Sequence, residues 1–288
     1  MQKKLPFTKM HGTGNDYIFL DTITHDIPSN ADQLAIAMSD RHTGIGADGL
    51  ILIHPSSVAD ARMQMFNADG SEAEMCGNGL RCVGKYLFDH NICRQKSLKI
   101  ETLRGILNLS LVVEKNKVNE VCINMGKPIF DPAKIPTTLE GSPPVNVKLF
   151  DGEGFCDEIL VTTLSMGNPH CVLFVEEFND ELVTSLGSKI EHHPAFPNRV
   201  NVGFAKIESP SQMQLRLWER GCGETLACGT GACAAVVAAV LTRRASRTVT
   251  CHMSGGTLQI EWKEGGDVFL TGDVVEVFQG NWNPSSFC

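Results

Sequence analysis

The sequence lacks any hydrophobic stretch long enough to cross a membrane. Its longest apolar run, Ala232 to Leu241, is ten residues, against the roughly 20 that a bilayer requires. Positive charge is also short: 25 lysines and arginines face 33 acids, for a formal net charge of −8, which argues against a nucleic-acid partner. A small anionic substrate stays open, because one arginine and a few aimed backbone N–H groups bind a carboxylate locally. The lysines near the N-terminus are followed by no apolar core, so no secretory leader is expected. Cys-x-x-Cys and His-Glu-x-x-His are both absent, and no metal is expected.

Cysteine is plentiful by contrast: eleven in 288 residues, an odd number in a chain long enough for two ordinary domains. With 42% hydrophobic and 20% charged residues, a buried core and free thiols in a reducing cytoplasm are the simplest expectation. Most such thiols pack as small inert side chains. Packing is expected for Cys93, Cys122, Cys156, Cys171 and Cys251, in or beside apolar strand-like stretches, and for Cys82 and Cys233, one turn into helices.

The chain is written twice. Met75-Cys76-Gly77-Asn78-Gly79 returns as Ala227-Cys228-Gly229-Thr230-Gly231, and the offset from 76 to 228 is 152. The same offset aligns Phe66-Asn67 with Trp218-Glu219 and Glu72 with Glu224. At an offset of 153, Gly14-Asn15-Asp16-Tyr17 meets Gly167-Asn168-Pro169-His170. A common order at a near-constant offset marks two copies of one unit. Prolines cluster between Gly126 and Pro144, which predicts domains of 1–133 and 134–276, with the tail 277–288 free to pack back on the first.

Within each copy the pattern predicts clustered strands and one helix. Tyr17–Leu20, Leu50–Ile53, Met63–Phe66, Cys171–Val175, Val202–Ala205 and Gln214–Trp218 read as strands. Leu80, Val83, Leu87 and Phe88 fall on helical spacing after Cys76, and the run after Cys228 is apolar on every face. The expected fold is α+β: two pseudo-symmetric domains, each a mainly antiparallel sheet wrapped around a central helix, with the active site in the cleft between them.

Cys76 and Cys228 alone occupy equivalent places in the repeat, each before a glycine-rich turn that opens a helix. The first N–H groups of a helix lack internal partners and face its positive end, which suits an anion. A thiol there is expected to have a lowered pKa. Two such sites facing each other would hold a carboxylate while one thiolate removes an α-proton and the opposite thiol returns one to the other face. No cofactor is required if the helix ends stabilise the enolate-like charge.

Two nucleotide-binding patterns fail on context. Gly44-Ile45-Gly46-Ala47-Asp48-Gly49 runs into a strand where a helix is needed, and the turn after Cys228 is followed by no acid at the expected spacing.

His11-Gly12-Thr13-Gly14-Asn15-Asp16, Met75-Cys76-Gly77-Asn78-Gly79, Gly167-Asn168-Pro169-His170, Asn198-Arg199-Val200-Asn201 and Trp218-Glu219-Arg220-Gly221 through Ala227-Cys228-Gly229-Thr230-Gly231 together resemble the diaminopimelate epimerases. That resemblance implies interconversion of LL- and meso-diaminopimelate without pyridoxal, on the route to lysine and peptidoglycan. It implies Cys76 and Cys228 as base and acid, with Gly77, Asn78, Gly229 and Thr230 presenting backbone N–H groups to the reacting carboxylate. Asn15, Asn67, Asn168, Asn201, Glu219 and Arg220 would hold the rest of the substrate, and His170 with Glu219 would tune the thiols. Some members carry glutamine where Asp48-Gly49 stands, a contact Gly49 has no side chain to make. The resemblance also suggests a homodimer. Two other readings remain: a two-cysteine racemase of the proline-racemase kind, which needs no grip on a second amino-acid end, and a non-catalytic thiol or metal-binding protein.

Overall fold

The computed structural model describes residues 4–150 and 159–283; Cys156 and the end of the tail lie outside them. Contacts divide the chain into two units, residues 1–123 with 272–288, and residues 124–271. The proline-rich segment near 126–144, expected as the join, is built into the second unit. There Ile129 bridges Ser165, and the Thr138 N–H donates to the Ala195 carbonyl at 3.0 Å.

The first unit contains β1 (Leu5–Gly12), β2 (Asn15–Asp21), α1 (Ala31–Ser39), β3 (Gly49–His54), β4 (Ala61–Asn67), β5 (Glu72–Ala73), α2 (Gly77–Asp89), β6 (Ser97–Thr102), β7 (Gly105–Glu114) and β8 (Lys117–Asn124). The second contains β9 (Val147–Phe150), β10 (Ile159–Ser165), β11 (Pro169–Phe174), a π-helical turn Leu182–Leu186 running into α3 (Gly187–Glu191), β12 (Asn201–Ser209), β13 (Gln212–Glu219), β14 (Gly223–Thr225), α4 (Gly229–Leu241), β15 (Thr248–Met253), β16 (Gly256–Trp262) and β17 (Val268–Asp273). The chain then returns to the first unit as β18 (Val275–Trp282), antiparallel to β1 from Leu5 opposite Trp282 to His11 opposite Val275.

Strand pairing repeats the duplication. In the first unit β1 is antiparallel to β2, β2 parallel to β3, β3 antiparallel to β4, β4 antiparallel to β5, β4 parallel to β6, and β6 antiparallel to β7. In the second, β10 with β11, β11 with β12, β12 with β13, β13 with β14, β13 with β15, and β15 with β16 pair in the same senses. The architecture is sheet-dominated α+β, mainly antiparallel, with two parallel pairs in each unit.

Each sheet buries both faces. In β11, Val172 faces the core around α4, while Cys171 and Leu173 face the core shared with Leu186 and Ile190. That is the two-residue alternation of a strand. α4 contacts β10, β11, β12, β13, β15 and β16, which is why its Gly231–Ala239 stretch is buried on every side. α2 is buried from Asn78 to Phe88, including Lys85, whose ammonium donates to Asp89 at 2.8 Å and to the Val118 carbonyl at 2.6 Å. Among the expected packing cysteines, Cys82, Cys171, Cys233 and Cys251 are buried, whereas Cys93 and Cys122 are partly exposed. Cys93 lies beyond the C-terminal end of α2, and Cys122 sits on a strand whose residues alternate between core and surface.

Candidate active site

Both helices open on a cysteine. Cys76 and Cys228 have extended backbones (φ −128°, ψ 122° and φ −136°, ψ 117°), and neither helix has a side-chain cap. Their carbonyls accept the first helical bonds, from Leu80 N–H at 2.8 Å and Ala232 N–H at 3.0 Å. The preceding N–H groups, on Gly77, Asn78, Gly79 and on Gly229, Thr230, Gly231, are therefore outside the helical ladder, in the place suited to an anion.

The direct side-chain partner of Cys76 is a neutral amide. Its Sγ donates to Asn15 Oδ1 at 3.2 Å, and Asn78 Nδ2 reaches the same oxygen at 3.3 Å. Asn15 Nδ2 donates to Asp48 Oδ2 at 2.6 Å, and the Asp16 N–H donates to that oxygen at 3.1 Å. Asp48 therefore fixes the asparagine. Gly49 has no room for a side chain, since a Cβ there would stand 2.2 Å from the Phe66 carbonyl oxygen. Tyr17 lies buried beside the sulfur; burial, and after it Cys76, push its hydroxyl well above the ordinary tyrosine value. Arg81 is fully buried, and its Nη2 donates to Thr13 Oγ1 at 2.6 Å. Asn67 ends β4 and donates to Ser71 Oγ at 2.9 Å.

Around Cys228 the neighbours are anionic and hydroxylic. Sγ and Thr230 Oγ1 are 3.4 Å apart, and Thr230 Oγ1 accepts from Asn168 Nδ2 at 3.2 Å. Glu219 adjoins the thiol and accepts from Thr225 Oγ1 at 2.5 Å. Burial, and after it the Glu219 charge, push Cys228 up to about 12. The expectation of a lowered pKa fails here because a neighbouring carboxylate and lost solvation outweigh the helix end. His170 Nε2 is 3.1 Å from Asn168 Oδ1, and burial, with the Arg220 charge behind it, pushes the ring down to about 3. It is a neutral imidazole at physiological pH. Asn201 Nδ2 donates to the Pro169 carbonyl at 2.8 Å, and its Oδ1 accepts the Arg220 N–H at 3.0 Å. Arg220 is exposed, with Nη1 donating to the Asn198 carbonyl at 3.0 Å.

The structure thus gathers Asn15, Cys76, Gly77 and Asn78 in the first unit, and Asn168, Cys228, Gly229, Thr230 and Glu219 in the second, with Asn201 on Arg220. Tyr17, Asp48 and Thr225 join them without having been singled out by sequence. Tyr17 had a signal: the repeat aligns it with His170, and the pairings match, Tyr17 opposite Gly49 and His170 opposite Asn201. Among the described residues no group of three or more His, Cys, Asp or Glu side chains is arranged to hold a metal ion, and no helix is long and apolar enough to cross a membrane.

The family profile described as diaminopimelate epimerase matches residues 7–130 and 162–277. A diaminopimelate epimerase of Leptospira biflexa serovar Patoc is 46% identical over 278 residues, covering 96% of this chain and 98% of the relative. Two solved structures share the fold. A hydroxyproline epimerase from Agrobacterium vitis has a TM-score of 0.64 at 14% identity, covering 97% and 91% of the two chains. A Bacillus anthracis phenazine biosynthesis protein of the PhzF family has 0.67 at 17%, covering 98% and 100%.

Proposed function

Because this chain belongs to the diaminopimelate epimerase family, we propose that Cys76 and Cys228 are the paired base and acid of its reaction. The enzyme is an isomerase acting on diaminopimelate, a step in lysine biosynthesis. The observation that carries the two-thiol reading is the repeated one: each unit opens a 13-residue helix on a cysteine and leaves the first N–H groups outside the helical ladder.

The substrate carboxylate is received by the N–H groups of Gly77, Asn78, Gly229 and Thr230, which also meet the charge that develops when the α-proton leaves. Cys228, held as a thiol by burial and Glu219, delivers a proton to one face while Cys76 accepts the α-proton from the other. In the reverse direction Cys228 must be the thiolate, with Glu219 as the adjacent proton acceptor. This chemistry requires no cofactor. Arg220 pairs with the distant carboxylate, Glu219 accepts from an ammonium, and Asn15, Asn67, Asn168 and Asn201 fix the stereochemistry. His170 and Tyr17 shape the two thiol sites as neutral groups. The nine described cysteines are free thiols, which supports a reducing, cytoplasmic setting, and a homodimer is carried over from the family.

Incubation with LL-diaminopimelate tests the reading. Formation of the meso isomer without added cofactor is expected; turnover of proline with none of diaminopimelate would install the proline-racemase reading instead. Stoichiometric zinc, with function surviving loss of either cysteine, would install the thiol-protein reading.

A further inference from the structure

We infer that Glu191 is a positioning residue for substrate recognition, clamping the turn that carries Glu219 and Arg220. It rests on the assignment of Arg220 to the distant carboxylate made above. Glu191 is the last residue of α3 and is only 2% exposed. A carboxylate so buried is costly unless its oxygens are bonded, and both are. Oε2 accepts the Trp218 indole N–H at 2.7 Å, and Oε1 accepts the Gly221 backbone N–H at 2.9 Å. The two donors flank Glu219-Arg220 on either side, so one side chain grips the turn at both ends.

A third contact ties in the neighbouring segment. Arg199 Nη1 reaches Glu191 Oε1 at 3.5 Å, and Arg199 sits between Asn198, whose carbonyl accepts from Arg220, and Asn201, whose amide oxygen accepts the Arg220 N–H. The helix approaches closely enough for this only because residue 187 is glycine: a Cβ there would stand 2.8 Å from Trp218 Cγ. Among the described residues the first unit shows no such device. Its equivalent turn follows Phe66, whose side chain has no N–H to donate, and closes on itself through Gly70 N–H to the Asn67 carbonyl at 3.0 Å and Asn67 Nδ2 to Ser71 Oγ at 2.9 Å. Among the described residues, the clamp accompanies the turn that bears the charged pair.

The test is steady-state kinetics on LL-diaminopimelate with Glu191→Gln, Trp218→Phe, Arg220→Met and the Glu191→Gln/Arg220→Met double variant. Glu191→Gln keeps the shape but leaves a buried N–H facing an NH2 group, and is expected to raise KM about tenfold while kcat moves about twofold or less. Trp218→Phe keeps the ring against Gly187, loses one donor, and is expected to shift KM the same way by about threefold. If Glu191 acts through Arg220, Glu219 being held separately by Thr225 Oγ1 at 2.5 Å, the double variant is no worse than Arg220→Met alone. A fall in kcat at unchanged KM, or penalties that multiply in the double variant, would overturn the clamp. An unchanged KM in Arg220→Met would overturn the assignment of Arg220. The clamp is judged separately by the single variants, and fails if their KM is unchanged. Should Glu191→Gln not fold, Trp218→Phe decides alone.

Discussion

Replacing Glu219 with Gln in a Cys76→Ser background isolates the protonation of Cys228. With the thiol held up at about 12, about one Cys228 in ten thousand is thiolate at pH 8. Burial is the larger cause and the Glu219 carboxylate the second. Removing a unit charge at hydrogen-bonding range shifts a pKa by roughly one to two units, so Glu219→Gln is expected to lower the midpoint by about that much, with burial still holding it above a free thiol. The assay is iodoacetamide alkylation followed peptide by peptide by mass spectrometry across a pH series. Alkylation rate follows the thiolate fraction, so the variant should react at Cys228 roughly ten to a hundred times faster at pH 8. A midpoint at or below 9 before the change, or no shift after it, would refute the placement of Glu219 as the group that holds this proton.

Cys76→Ser and Cys228→Ser should each lower epimerisation by about two to four orders of magnitude, since an alcohol is a far weaker acid and base; wild-type rates in either would contradict the two-thiol reading. Gly49→Ala should destabilise the first unit by roughly 1–3 kcal/mol, because the added methyl meets a backbone carbonyl at 2.2 Å rather than a mobile side chain; an unchanged denaturation midpoint would count against this register. Burial would raise Asp16, but bonds and charge from Arg41 and Lys9 bring it down to about 2 from 3.8. A depressed folded pKa contributes stability above the unfolded value and loses it as pH falls through the folded one. Asp16→Asn should therefore cost about 2 kcal/mol at neutrality, with wild type and variant converging near pH 2 in denaturation curves.

The duplication was legible because glycines and cysteines stay in register with the strands: Asn15 with Asn168, Phe66 with Trp218, Cys76 with Cys228. The strands and both capped helices followed from the same alignment. What sequence concealed was decided by tertiary neighbours. Cys228 was expected to be acidic from its helix end, but Glu219, nine residues earlier, and the surrounding core decide otherwise. Glu191 sits on a five-residue helix preceded by a π-helical turn, and its partner Trp218 is 27 residues away; no local pattern links them. The proline-rich segment 126–144 is bonded into the second unit through Ile129 and Thr138, contacts that no composition pattern announces.

The central claim is that two different sulfurs serve one carbon. It is tested most directly by starting the reaction from LL-diaminopimelate in deuterium oxide and examining the first few per cent of turnover. If Cys76 takes the proton and Cys228 gives another, the newly formed meso product carries deuterium at the inverted α-carbon while unreacted substrate keeps its hydrogen. Early product that retains the substrate's own hydrogen would show one base working on both faces, and would contradict the account.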